Sequence, residues 1–218
     1  MTDTVFEAFA DSAKRHPGND FLYIPESATA GWANRRLVYT YAQAAGEIEK
    51  LRARYAAAGI GPGHRVAILL ENRDSFFFHW LALNAAGASI VPINPDYRLE
   101  ELVYLLSHSE AVLAVTLPHR TADLERAAAA TEKPAPVIEA DAVAAGVPKV
   151  PPAPAVSLPP RQREAGLLYT SGTTGRPKGC ILSNDYFLLL ADWYMNEGGY
   201  IRFEPGRTRI LTPLPMFH

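Results

Sequence analysis

At 218 residues and 23.8 kDa the chain is long enough for one domain or one and a half, at roughly 150 residues each, and its 48% apolar content excludes a disordered chain. Twenty-one Lys plus Arg against 23 Asp plus Glu give a net charge of −2, which leaves no excess of cation to neutralise a nucleic-acid backbone. The single cysteine, Cys180, excludes an internal disulfide framework and any Cys-rich zinc site.

In chain order, Met1-Thr2-Asp3-Thr4 carries an acid and no apolar run, so no secretory leader is expected and the protein is read as cytoplasmic. Thr4, with Glu7 three residues on, opens an amphipathic helix whose Val5, Phe6, Phe9 and Ala13 recur at helical spacing until His16-Pro17-Gly18 stops it. Residues 21–24 and 37–39 read as short strands around a polar turn. A second helix starts at Thr40 with Gln43 as capping-box partner, carries Ala44, Ile48, Leu51 and Tyr55 on one face, and ends at Gly59. Residues 65–70 have the continuous apolar character of a strand buried on both faces. Helices over 75–86, 99–107 and 121–130 then alternate with strands over 89–93 and 111–116. Residues 76–91 are too short for a membrane span and are broken by His79, Asn84, Gly87 and Ser89. This alternation implies an α/β fold, a mainly parallel sheet flanked by helices.

Prolines at 148, 151, 152, 154, 159 and 160 keep residues 147–160 out of any ladder or helix interior, which predicts an extended surface connection. It divides the chain into an α/β subdomain over 1–146 and a further subdomain that starts over 161–218.

After the connection a buried-strand pattern, Ala165-Gly-Leu-Leu-Tyr169, leads into Thr170-Ser171-Gly172-Thr173-Thr174-Gly175-Arg176-Pro177-Lys178-Gly179. The glycines let the backbone turn tightly with its N–H groups near a ligand; the hydroxyls add donors and Lys178 a point charge. That combination suits polyphosphate oxygens. It is not a Walker A loop, because Pro177 precedes the lysine and Gly179 follows it, and it is not a dinucleotide fingerprint, because residues 180–183 continue as a strand. A plain Gly/Ser/Thr turn between two strands is the alternative that composition leaves open.

The dozen residues from Leu168 to Gly179 resemble the phosphate-binding signature of the adenylate-forming superfamily of acyl-CoA synthetases, luciferases and peptide-synthetase adenylation domains. Val38-Tyr-Thr-Tyr41, Gly61-Pro-Gly-His-Arg-Val-Ala67, Ala86-Gly-Ala-Ser-Ile-Val-Pro-Ile-Asn94 and Pro213-Leu-Pro-Met-Phe-His218 are similar to family segments in the family's order, so the likeness covers essentially the whole chain. It implies the first portion of the large N-terminal domain of that fold. It also implies a ligase that activates a carboxylic acid, of acyl or fatty type, with ATP to acyl-AMP and pyrophosphate, then transfers the acyl group to coenzyme A. By the same resemblance Thr170, Ser171, Gly172, Thr173, Thr174 and Gly175 would hold the β- and γ-phosphates with Lys178 as their cation. Thr174 would reach magnesium (Mg2+), and His218 would orient the carboxylate or gate the acyl pocket.

Other residues read more plainly. His16, His64, His79, His108 and His119 have no metal-ligand spacing and are expected at the surface or at helix ends. Phe76, Phe77, Phe78 and Trp80 read as core, Glu47, Glu49, Lys50, Arg52 and Arg54 as a solvated helix face, and Cys180 as a buried thiol.

The later family segments that hold adenine, ribose and the reacting carboxylate, and the C-terminal lid domain with its lysine, do not occur in these 218 residues. The chain is therefore expected to be the N-terminal part of a longer synthetase and inactive alone, with a non-catalytic nucleotide-binding or interaction remnant as the alternative. Residues 210–215 are expected to leave an unpaired strand edge through which the chain forms a homo-oligomer.

Overall fold

Capping and apolar spacing account for the first helices. In the computed structural model, which describes residues 2–170 and 176–217, α1 (Val5–Arg15) starts where Thr4 Oγ1 accepts from the Glu7 N–H. Strands β1 (Asp20–Ile24) and β2 (Leu37–Thr40) pair antiparallel as a separate ribbon. Helix α2 (Tyr41–Ala57) has the full capping box of Thr40 and Gln43, and its Ala44, Ile48 and Tyr55 are buried as the stripe predicts.

The main sheet grows outward from β3 (Arg65–Leu69). Helix α3 (Asp74–Ala85) leads to β4 (Ser89–Pro92) on one side, and α4 (Leu99–Ser109) carries the chain back past β3 to β5 (Leu113–Thr116) on the other. Helix α5 (Thr121–Ala129) then leads to β6 (Val137–Glu139). After the proline-rich connection, β7 (Glu164–Thr170) lies parallel to β4, and β8 (Lys178–Ser183) turns back antiparallel on β7. The strand order is β6-β5-β3-β4-β7-β8, and α6 (Asn184–Glu197) follows. Alternate residues of β3 serve different layers. Val66 and Ile68 face a core with α1, α2 and α3, while Ala67 and Leu69 face one with α4 and α5. This is the mixed, mainly parallel sheet flanked by helices that the alternation predicts.

The proline-rich connection has no regular structure, yet it is fastened to the domain. The Val150 N–H donates to Ala58 O at 3.1 Å, and His64 Nε2 donates to Pro151 O at 2.9 Å. Gly63 sits beneath it at φ +89°, where a Cβ would lie 2.6 Å from Pro154 O. Gly63→Ala is therefore expected to cost about 2 kcal/mol, from the left-handed backbone and the displaced carbonyl. Urea unfolding measures the loss, and an unchanged midpoint would mean that the strap moves aside freely.

Several expectations need correction. Cys180 is exposed, because β8 is the edge strand and nothing among the described residues covers its outer side. His64 and His79 are buried rather than superficial. The His64 ring is bonded on both sides, to the Gly61 N–H and to Pro151 O. His79 lies mid-helix against Tyr55, with Nδ1 and Oη 2.6 Å apart. Residues 210–215 form no strand, and Ile210, Leu211 and Leu214 are exposed.

Candidate functional site

The parallel strands end at one edge of the sheet, where α/β folds bind their ligands. β7 runs to that edge and delivers Thr170 there. Across the β7–β8 ladder Thr170 is paired with Lys178, so the hydroxyl and the ammonium named from the sequence stand on adjacent strands, at the two ends of residues 171–175. Both are exposed. The next rung pairs Tyr169 with Gly179. A Cβ on Gly179 would come within 3.0 Å of the Leu167 side chain, so this glycine lets β8 lie flat on its neighbour. Ser171, Gly172, Thr173, Thr174, Gly175 and His218 lie outside the described residues.

Helix α4 supports the same hairpin. Tyr104 Oη donates to Pro177 O at 3.0 Å, and the Arg176 guanidinium lies over the Tyr104 ring, 5.6 Å from its centroid. His108 Nδ1 is 2.7 Å from Tyr169 Oη. Burial, chiefly, pushes the Tyr169 phenol well above its ordinary pKa, so the hydroxyl keeps its proton beside the imidazole.

A second approach comes from the loop after β3. Asn72 Nδ2 donates to Leu214 O at 3.0 Å, and Asn72 Oδ1 accepts from the Met216 N–H at 2.9 Å. One side-chain amide thus holds the segment that leads to His218 at the carboxyl edge, and Met216 packs on the core. Neither Asn72 nor the Tyr104–His108 pair stands out in the sequence. The only available signal was the i,i+4 spacing of two polar-tipped rings on one helix face. Among the described residues no group of three or more His, Cys, Asp or Glu could hold a metal ion, and no helix is long and apolar enough to cross a membrane.

The sheet thus sets Thr170 and Lys178 side by side at its carboxyl edge, at the two ends of the Gly- and Thr-rich residues 171–175. The chain belongs to the AMP-binding enzyme family, which it matches over residues 9–218. It is 33% identical over 220 residues to the sulfoacetate–CoA ligase of Cupriavidus necator, covering 99% of this chain and 41% of that protein. It is 30% identical to a crotonobetaine/carnitine–CoA ligase of Escherichia coli, covering 92% of this chain and 40% of the relative. Among solved structures, the inhibitor-bound N-terminal domain of FACL13 from Mycobacterium tuberculosis superposes with a TM-score of 0.77 at 26% identity, over 100% of this chain and 52% of that one. The o-succinylbenzoate CoA synthetase of Bacillus subtilis shares the fold, with a TM-score of 0.70 at 21% identity over 99% of this chain and 50% of its own. The chain spans about two fifths of the length of these curated relatives.

Proposed function

We propose that this chain is the N-terminal part of an acid–thiol ligase, which activates a carboxylic acid with ATP and passes the acyl group to coenzyme A. The observation that carries this reading is the pairing of Thr170 with Lys178 at the carboxyl end of β7. In the first step a carboxylate oxygen attacks the α-phosphorus. The bond from that phosphorus to the bridging oxygen breaks, and pyrophosphate leaves with the electron pair. Negative charge grows on the β-phosphate, and a cation with oriented donors beside it lowers the barrier. Lys178 supplies the cation; Thr170, Ser171, Gly172, Thr173, Thr174 and Gly175 supply the donors. The thiol of coenzyme A then attacks the acyl carbon, losing its proton, and AMP departs with the electrons of the acyl–oxygen bond.

With ATP as its magnesium complex, Thr174 would be the contact to the metal and His218 would orient the carboxylate. Residues 1–146 form the supporting subdomain, 147–160 the connection and 161–218 the start of the phosphate-binding subdomain. The remaining machinery lies in the length by which the relatives exceed this chain, and the setting is cytoplasmic. The named relatives are ligases of sulfoacetate and of crotonobetaine or carnitine, which makes the acid a variable to test alongside fatty acids.

The test is pyrophosphate exchange into ATP by the full ligase, over a panel of short charged and long-chain acids. Acid-dependent exchange is expected, and Lys178→Ala should lower its kcat/KM about 30-fold, the worth of one charge-assisted contact to phosphate at about 2 kcal/mol. ATP binding without exchange for any acid would favour the non-catalytic remnant. Acid-dependent exchange by the 218 residues alone would overturn the placement of the remaining machinery.

A further inference from the structure

One face of α4 touches both arms of the hairpin that carries the phosphate segment. Tyr104 and His108 are four residues apart, their rings 5.3 Å from each other. Tyr104 takes the β8 side, through Pro177 O and the stacked Arg176. His108 takes the β7 side through Tyr169, whose ring meets the imidazole edge-on with 5.6 Å between centroids. Tyr169 immediately precedes Thr170, and Pro177 immediately precedes Lys178. Among the described residues the Thr170–Lys178 rung is the last of the ladder, and Pro177 lies beyond it. Its carbonyl accepts from Tyr104. Two contacts from one rigid helix therefore bracket residues 171–175 at both ends.

We infer that Tyr104 and His108 are positioning residues, which fix the spacing and direction of the two ends of the phosphate segment and so set the affinity for the β- and γ-phosphates of ATP. The inference rests on the ligase reading. Its physical basis is preorganisation. Arms already held by α4 need not be ordered when the nucleotide binds, so less binding free energy is lost to entropy. Tyr104 is half-buried against the core of α4 and α5, and phenylalanine keeps that packing while removing only the hydroxyl.

In the full ligase, Tyr104→Phe and Tyr169→Phe are each expected to raise KM for ATP about fivefold, the worth of one hydrogen bond. The KM for the acid and kcat should stay within about twofold, whereas a general loss of structure would move all three. His108→Ala should match Tyr169→Phe, and combining the two should add nothing, since both remove the same bond. His108→Gln, which restores a polar partner for the phenol, should recover most of the loss. A second readout is independent of catalysis. In the 218-residue chain, Tyr104→Phe should speed tryptic cleavage after Lys178 several-fold, with no change after the exposed Arg207.

An unchanged KM for ATP in the folded variants would overturn the inference. A wild-type ligase without acid-dependent exchange would instead overturn the ligase reading and the link to ATP. The tryptic contrast then decides whether α4 holds the arms at all, and equal rates would overturn that too.

Discussion

Replacing Asn184 with alanine is expected to lower the unfolding free energy by about 3 kcal/mol, with α1 released first. Asn184 is the first residue of α6 and is 4% exposed. Its Oδ1 accepts from the Val5 N–H at 3.1 Å and from Asn84 Nδ2 at 2.8 Å, and its Nδ2 donates to Pro160 O at 3.0 Å. Asn84, 3% exposed on α3, accepts the Phe6 N–H at 2.8 Å. Val5 and Phe6 open α1, where backbone N–H groups have no partner within the helix. Two side-chain amides from distant helices therefore cap α1 from outside. Alanine at 184 leaves the Val5 N–H, the Asn84 amide and the Pro160 carbonyl without their partner, and each orphaned buried group costs roughly 1–3 kcal/mol. Urea unfolding gives the total, and amide exchange at Val5 and Phe6 locates it. A loss below about 1 kcal/mol would mean that water replaces the network.

The second large effect concerns acid. His79 is buried on α3, and burial alone lowers its pKa to about 4. The partner facing it is Tyr55, whose phenol burial pushes well up, so the hydroxyl donates to a neutral imidazole. The unfolded chain takes up this proton near pH 6.5 and the folded chain only near pH 4. Between those values the unfolded state binds more protons, so stability falls as the pH falls. The total is about 3 kcal/mol, at about 1.4 kcal/mol per unit of pKa. His79→Asn keeps an acceptor near Nδ1 but cannot take up the proton. Its stability, measured from pH 7.5 to pH 4, should fall less than that of the wild type by that amount. Parallel profiles would show that His79 is protonated in the folded protein without penalty.

What the sequence revealed follows from how local each interaction is. The Thr40–Gln43 capping box and the Ala44-Ile48-Tyr55 stripe are contained in one helix, and the structure keeps them unchanged. The both-faces-buried run of β3 was equally plain, because a central strand has no polar side to show. β6 has three residues, too few for a pattern, and α6 is apolar on several faces, so no stripe marks it although Ser183 caps it. His79 stands on a helix whose buried residues reach nearly all round, which gave no clue to its surroundings. Of the candidate site, Thr170 and Lys178 were legible as chemistry, but their pairing across β7 and β8 needed the register. The Tyr104–Pro177 and Asn72–Leu214 contacts join residues 73 and 142 positions apart, and no single-sequence pattern carries such distances.

The place of β7 in the sheet also bears on synthesis. β4, buried at all four residues, has β3 on one side and β7 on the other, yet β7 emerges only about 70 residues after β4. At 5–20 residues per second the ribosome needs roughly 4–14 s to deliver it. Throughout that interval the nascent sheet has a hydrophobic strand with an open backbone edge, a template for pairing with another chain. Helices α3 and α4 can cover its faces as they fold, but the edge itself stays open until residues 164–170 arrive.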